Sequence, residues 1–288
     1  MAILFAFCCL GFSAVNDFVF KLYARKVRSR GLFVALIGAV WLLLLVWLPR
    51  GPETSLTATW VWGSISGLFS VAGNLLLIEA MGRQSAGVCS TIYRLNLVLV
   101  VAGAWLFLGE TLSGTQLAGV VLALAAILAF LPKRNGVHLE KLGFRLVVLA
   151  AVLRAGMGLA YRYGFLHGAD RNGVIVINSL FWIAGGLLYT RWREGRLKLP
   201  DRKLVFYGTV SGLLVVGIVF CMAAALQYGE AGIVLPIAQM SFLGTYLLGM
   251  VFLREPLTRR GMDLIKKHPR IVAGTPRLFR PDGAVCDW

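Results

Sequence analysis

The stretch from Gln84 to Leu112 reads QSAGVCSTIYRLNLVLVVAGAWLFLGETL, and a counterpart from Gly229 to Leu257 reads GEAGIVLPIAQMSFLGTYLLGMVFLREPL. Both belong to a gapless alignment of residues 63–113 on 208–258, with 13 identities in 51 positions at a constant offset of 145. Chance Leu and Ala matches count for little in apolar sequence. Blocks such as Phe-Leu-x-Glu-x-Leu in both copies count for more, and they indicate an internal duplication.

The composition around this duplication is that of a membrane protein. Hydrophobic residues make up 58% of the 288 residues, charged residues make up 15%, and the mean hydropathy is +0.78. Soluble domains are about 45–50% apolar and about 25% charged. Nine apolar runs of about the length that spans a bilayer can be marked: about 2–23, 31–49, 57–81, 86–108, 114–132, 146–165, 173–190, 204–226 and 231–253. The chain is therefore predicted to be an all-α polytopic membrane protein.

The duplication also predicts how the two halves are oriented. Runs 3 and 4 correspond to runs 8 and 9, so one repeat is five helices long. Because five is odd, the second copy enters the membrane with the opposite orientation, an arrangement typical of secondary transporters. We predict a first repeat over 1–132, a cytoplasmic linker over 133–145, a second repeat over 146–258 and a polar tail over 259–288.

The two quoted stretches resemble the closing helices of EamA-type repeats. The chain as far as about residue 258 resembles the ten-helix drug/metabolite transporter superfamily. That resemblance implies two inverted five-helix repeats around a central cavity lined largely by helices 1, 3, 4, 6, 8 and 9. One departure stands out, because a polar and basic segment follows Leu257 where the tenth helix is expected. The tenth helix is therefore expected to be missing or altered in this chain.

Charge is distributed unevenly between the connections. The formal net charge is +16, but nucleic-acid binding is not the preferred interpretation, because the basic residues lie mainly between apolar runs. The segments after runs 1, 3, 5 and 7 carry 15 Lys or Arg residues, and those after runs 2, 4, 6 and 8 carry 3. The positive-inside rule then places the first set in the cytoplasm and the N-terminus outside. The resemblance implies the reverse, and both orientations stay open. The expected location is a bacterial inner or plasma membrane, with multiple passes.

Four of the runs carry a face that holds polar or small residues at helical spacing, and in run 4 the spacing is i, i+3, i+4 and i+7. The faces hold Ser13, Asn16, Asp17 and Lys21 in run 1; Gly87, Ser90, Thr91 and Arg94 in run 4; Arg154, Gly158, Tyr161 and Arg162 in run 6; and Gly232, Pro236, Gln239 and Tyr246 in run 9. Lys21 and Arg162 lie near the ends of their runs and are predicted to reach the interface instead.

Ionisable groups in hydrocarbon are costly and mark functional sites by default. We hypothesise a substrate cavity formed by Arg94, Arg154, Asp17, Asn16, Thr91, Gln239, Pro236, Tyr246 and Tyr161. In it, Arg94 and Arg154 hold an anionic group, and Asp17 pairs with an arginine or binds a coupling proton. The alternative is a static ion pair of Arg94 with Asp17 or Glu79, which only fixes helix packing.

These features favour secondary transport of a small polar or amphipathic metabolite, with an anion as a candidate, by alternating access across the bilayer. No enzyme motif, metal-binding spacing or nucleotide-binding loop is present in the sequence, so no cofactor is expected. The alternative function is a non-transporting membrane scaffold, or an inactive remnant that lacks the tenth helix. The sequence leaves the substrate, the coupling ion and the oligomeric state open.

Overall fold

The computed structural model describes residues 1–24, 29–49, 51, 54–109, 113–129, 140–195, 201–228, 234 and 237–253. Within these residues the chain forms helices and no strand. The helices are α1 Ala2–Ala24, α2 Arg30–Leu45, α3 Leu56–Arg83, α4 Ala86–Arg94, α5 Asn96–Leu108, α6 Gly114–Ala129, α7 Lys141–Leu166, α8 Arg171–Arg193, α9 Arg202–Tyr228 and α10 Ser241–Leu253. The predicted polar tail lies outside the described residues.

All nine predicted runs form helices, and six helical segments in the described part are long and apolar enough to cross a membrane. Side-chain caps fix several of their starts: Ser29, Ser55, Ser85 and Asp170 each accept a hydrogen bond from a backbone N–H in the first turn that follows. The chain is an all-α, polytopic membrane protein.

Runs 4 and 9 are not continuous helices, in contrast to the sequence prediction. Run 4 breaks at Leu95, between α4 and α5, and run 9 breaks at Met240, immediately before α10. In each break, the backbone N–H of the turn residue donates to the carbonyl oxygen three residues earlier. These bonds run from Leu95 N to Ile92 O (3.1 Å) and from Met240 N to Ile237 O (3.1 Å). Because Met240 is 145 residues after Leu95, the two breaks are equivalent positions of the repeat.

The helices pack in pairs that the duplication exchanges. At the same offset, α1 corresponds to α7 and α3 to α9. The structure packs α1 against α9 and α3 against α7, which are the same contact seen from each repeat. The contact of α2 with α8 joins one element to its own counterpart, and α4 contacts α10, which is the counterpart of α5. These contacts are those of two inverted repeats related by a two-fold axis in the membrane plane.

Two sets of polar contacts mark the two ends of the bundle. At one end, which we call the Glu79 end, Glu79 lies 3.5 Å from Arg30 and accepts a hydrogen bond from Tyr189 (2.8 Å), while Arg83 pairs with Glu140 (2.7 Å). At the other, the Asp170 end, Asp170 accepts from the backbone of Gly51 and Gly173. The basic connections that the structure describes emerge at the Glu79 end.

Glycine permits the close crossing of α2 and α8. A Cβ atom on Gly186 would lie 2.6 Å from the carbonyl oxygen of Gly31 and 2.6 Å from the backbone nitrogen of Ala35. Both of these neighbours are backbone atoms, so they cannot rotate away. Small residues let membrane helices approach in this way, because no hydrophobic effect drives their association within lipid.

Candidate functional site

A cavity of about 130 Å³ lies between the two repeats. Its wall includes Arg154, near the middle of α7, and continues along that helix to Phe165 and across to Ile175 of α8. Both of these residues are close to the Asp170 end. No described wall residue belongs to the polar contacts of the Glu79 end. The cavity therefore occupies the middle of the bundle and the half that leads to the Asp170 end.

A buried ion pair forms one side of this cavity. Arg94 Nη2 lies 2.6 Å from Asp17 Oδ2, and the two residues are 4% and 5% exposed. The same carboxylate oxygen accepts hydrogen bonds from Ser90 Oγ (3.0 Å) and Thr245 Oγ1 (3.4 Å). Buried charges are tolerated when they are paired and hydrogen-bonded in this way. The pair therefore joins α1, α4 and α10 at the level of the two helix breaks.

Equivalent residues of the two repeats meet at the same place. Arg94 Nη1 donates to Gln239 Oε1 at 3.3 Å, and Gln239 is 145 residues after Arg94. Further wall residues are related by the same offset: Ser13 and Gly158, Asn16 and Tyr161, Asp17 and Arg162, Asn74 and Val219. The cavity is thus built around the two-fold axis, although the two sides differ in charge.

Arg154 is the least engaged charge in the wall. Its one described hydrogen bond runs from Nη1 to the Sδ atom of Met157 at 3.5 Å, which is a weak acceptor. Among the residues that the structure describes, no carboxylate lies within ion-pair distance of Arg154. A half-buried guanidinium in this state can bind an anionic group from a ligand.

Three other wall residues keep a buried polar atom without a hydrogen-bond partner among the described residues. These atoms are Trp41 Nε1 and Arg94 Nε, which are donors, and Asn96 Oδ1, which is an acceptor. By contrast, the neighbouring Trp182, whose ring centroid is 5.7 Å from that of Trp41, donates from Nε1 to Ser70 Oγ at 2.8 Å. Buried polar atoms are normally paired, so each unpaired one requires an explanation.

A family model described as the EamA-like transporter family matches the chain twice, over residues 1–131 and 141–263. The chain belongs to the EamA-like transporter family. The two matches correspond to the two repeats. Because this family consists of transporters, the chain is an integral membrane protein with a transporter role.

Solved structures with the same fold exist. In total, 27 chains of solved structures match. One, described only as the crystal structure of a protein, superposes with a TM-score of 0.66 at 18% sequence identity, covering 94% of this chain and 96% of that one. At this identity the likeness shows the fold alone. No curated protein sequence matches this EamA-like chain.

Six of the residues predicted for the substrate site line the cavity of this EamA-like transporter: Arg94, Arg154, Asp17, Asn16, Gln239 and Tyr161. Thr91 is fully buried within α4, and Tyr246 is half-buried on α10; neither is part of the described wall. Pro236 lies outside the described residues. Glu79 is at the end of the bundle that bears its name, where it pairs with Arg30 and not with Arg94.

The structure gives the surroundings of the two basic residues that were predicted to reach the interface. Lys21 is 9% exposed and donates to the carbonyl oxygens of Met81 (3.0 Å) and Gln84 (2.6 Å), so it caps the end of α3. Arg162 contributes to the cavity wall. For Lys21, a neighbouring helix supplies the hydrogen-bond acceptors that water would supply at the interface. The position of a residue within its apolar run does not reveal a contact that another helix makes with it.

Trp41, Trp182 and Asn96 also line the EamA-like cavity, although none of them was predicted as a site residue. The tryptophans lie in apolar runs, where they read as packing or interfacial residues. Asn96 could have been predicted from the sequence, because it lies two residues after Arg94 and because its equivalent in the second repeat, Ser241, is also polar. Both are buried at the helix breaks.

Proposed function

We propose that this EamA-like protein is a secondary transporter that moves a small polar or amphipathic metabolite by alternating access. The observation that carries the proposal is the cavity at the two-fold axis, between two helices that break at equivalent residues, Leu95 and Met240. Discontinuous helices next to a site near the midplane are a construction of secondary transporters. Here each break is a single turn residue whose backbone N–H is hydrogen-bonded within its own helix, so side chains and not freed backbone groups face the ligand.

The polar contacts at the two ends support alternating access. The cavity leads to the Asp170 end, and the Glu79 end is held by ion pairs and hydrogen bonds between α2, α3, α7 and α8. The equivalents of Glu79 and Arg83 in the second repeat are Ala224 and Tyr228. The second repeat therefore has no carboxylate and no guanidinium at these two positions. In this proposal, breaking the contacts at the Glu79 end is the step that converts one access state into the other.

In this proposal Arg154 binds the anionic group of the substrate, and Arg94 is held ready by Asp17. Substrate binding competes with Asp17 for Arg94, since a second anion near the guanidinium weakens the existing pair. Asp17 is then the group that takes up a coupling proton. The competing interpretation is a static pair of Arg94 and Asp17 that only fixes the packing of α1, α4 and α10.

Transport by the purified protein in proteoliposomes tests the function. A panel of radiolabelled carboxylates, phosphates, amines and neutral solutes is applied, and uptake is measured with and without a pH gradient, because a monoanion that moves with one proton carries no net charge. We expect a signal from one or more anions, its loss in Arg154→Gln, and its retention in Arg191→Gln, which removes an exposed arginine of α8. Equal signals from wild type and Arg154→Gln would contradict the assigned site.

A further inference from the structure

We propose that the cavity selects a small organic monoanion whose apolar body is about the size of a single ring and which carries no ammonium group. This inference rests on the transport function proposed above and names its class of substrate. Three properties of the wall lead to it: its charge, its volume and apolar surface, and its unpaired polar atoms.

The charge of the wall favours an anion over a cation or a zwitterion. Arg94, Arg154 and Arg162 line the cavity, and Asp17 is the one acidic residue in its described wall. Oδ2 of Asp17 is already shared by Arg94, Ser90 and Thr245. A ligand ammonium would therefore meet an excess of positive charge and a carboxylate that is already paired, whereas a ligand carboxylate meets Arg154.

The volume and surface limit the rest of the molecule. An apolar cavity of about 150 Å³ holds one benzene ring, and this cavity measures about 130 Å³. Aromatic side chains contribute much of the wall, including Trp41, Tyr93, Phe165 and Trp182. Hydroxyl groups of a ligand that lie against these rings would find no partner there, and Ser13, Asn16 and Asn74 offer partners elsewhere in the wall. A compact apolar body therefore fits better than a sugar phosphate.

Two of the three unpaired wall atoms are donors that suit the anionic head of such a ligand, and the third, Asn96 Oδ1, is an acceptor that would take a neutral donor such as a hydroxyl group. Trp41 Nε1 and Arg94 Nε are buried donors without a described acceptor, and their residues line the same cavity as Arg154. A carboxylate has two oxygens and about four lone-pair sites, so it can accept from several donors at once. An indole N–H cannot be deprotonated to suit a cation, so Trp41 contributes specifically to the binding of an acceptor group.

Binding in detergent solution tests this class with four probes: benzoate, benzamide, L-phenylalanine and inorganic phosphate. Ligand that binds the folded state raises the unfolding temperature by mass action. We expect benzoate to raise it, and each other probe to require at least a tenfold higher concentration for the same shift, which is a difference of about 1.4 kcal/mol. Comparing benzoate with benzamide tests the charge, comparing it with phenylalanine tests the ammonium group together with two added carbons, and comparing it with phosphate tests an inorganic anion that has no ring.

Variants connect the binding to the wall. Arg154→Gln is expected to weaken benzoate binding at least tenfold, Arg154→Lys to retain part of it, and Trp41→Phe to weaken it severalfold, because phenylalanine keeps an aromatic ring but has no N–H. Arg191→Gln is the control and is expected to bind benzoate as the wild type does. If Arg154→Gln does not fold, the lysine variant and the four-probe comparison still decide the matter.

Three results would each overturn the proposal: no effect of benzoate, phenylalanine binding as tightly as benzoate, or phosphate binding as tightly as benzoate. The failure of the transport function has a different signature. Benzoate binding without any translocation in proteoliposomes contradicts transport and supports the selectivity of the site. Translocation of other solutes without benzoate binding supports transport and overturns the class named here.

Discussion

Arg94 donates a hydrogen bond to Gln239, its own counterpart in the second repeat, at 3.3 Å. Residues that contact their own equivalents must lie at the two-fold axis, so this bond marks the axis inside the membrane. The remaining bonds of Arg94 break the symmetry, because Asp17 belongs to the first repeat alone and its equivalent is Arg162. The site is thus symmetric in backbone and asymmetric in charge.

Removing one member of the buried pair is expected to destabilise the protein more than removing both. Asp17→Asn leaves Arg94 as an uncompensated buried charge, which costs about 3 kcal/mol. Arg94→Gln leaves Asp17 with its two hydroxyl donors and costs a similar amount. The double variant is expected to cost less than either single variant, which requires a coupling of about 3 kcal/mol. Unfolding in detergent by denaturant titration measures all three.

Transport by the double variant separates the two interpretations of the pair. If Arg94 and Asp17 only fix helix packing, the double variant regains both stability and transport. The proposed substrate role predicts that stability returns in part while transport stays lost. Restored transport in a protein without either charge would contradict the role given to Arg94.

Sequence could predict the elements of this fold because lipid imposes a length on each apolar run. It could also predict that the runs pair by duplication, because Glu110 and Glu255 recur at one offset with their apolar neighbours. The break at Leu95 could not be predicted, because leucine neither removes a hydrogen-bond donor nor favours a turn, and the apolar pattern continues through it. That break is fixed by tertiary contacts around the axis.

The candidate site was predictable in part for the same reason. Arg94 and Asp17 stand out as charges at similar depth, and the structure brings them together. Trp41 does not stand out, because its importance comes from an N–H group left unpaired by the particular rotation of α2 against α8. A pattern of residue types carries no information about which atoms remain unpaired after packing.

The two tryptophans of the cavity are expected to respond differently to the same substitution. Trp182→Phe removes the hydrogen bond to Ser70, which contributes about 1 kcal/mol to stability. Trp41→Phe removes an N–H that has no described partner, so it costs no hydrogen bond in the absence of ligand. Both changes remove a similar apolar area, and each therefore controls for the other. The unfolding temperatures of the two variants, measured side by side, test this prediction. A lower unfolding temperature for Trp41→Phe than for Trp182→Phe would contradict it.

The glycine contact between α2 and α8 gives a second stability prediction. Gly186→Ala places a methyl group 2.6 Å from two backbone atoms of α2, so the helices must separate, and we expect a loss of about 1–3 kcal/mol. Gly11→Ala is the matched control, because a Cβ atom at Gly11 has no neighbour within 4 Å among the described residues. Thermal unfolding in detergent compares them. The control is expected to be neutral or slightly stabilising, because alanine favours helix more than glycine does.

Glu79 is expected to control which end of the bundle is open. Glu79→Gln removes its ion pairs with Arg30 and Arg83 and leaves a weaker acceptor for Tyr189. We expect the population to shift toward a state that is open at the Glu79 end. Spin labels at two exposed positions of that end, Leu142 and Trp192, report this as a longer distance in pulsed electron paramagnetic resonance.

Asp201→Asn is the matched control for that measurement, since Asp201 is an exposed acid at the start of α9. It is expected to leave the distance distribution unchanged. An identical distribution in wild type and Glu79→Gln would show that Glu79 does not hold this end closed.

Access to one cavity position from both sides tests the central claim most directly. A single cysteine replaces Val219, which lines the cavity, in a protein whose native cysteines are changed to serine, and an impermeant maleimide is applied to vesicles of each orientation. Alternating access predicts labelling from both sides, with Glu79→Gln increasing the rate from the Glu79 end and slowing it from the Asp170 end. Labelling from the Asp170 end alone, in both proteins, would contradict the account.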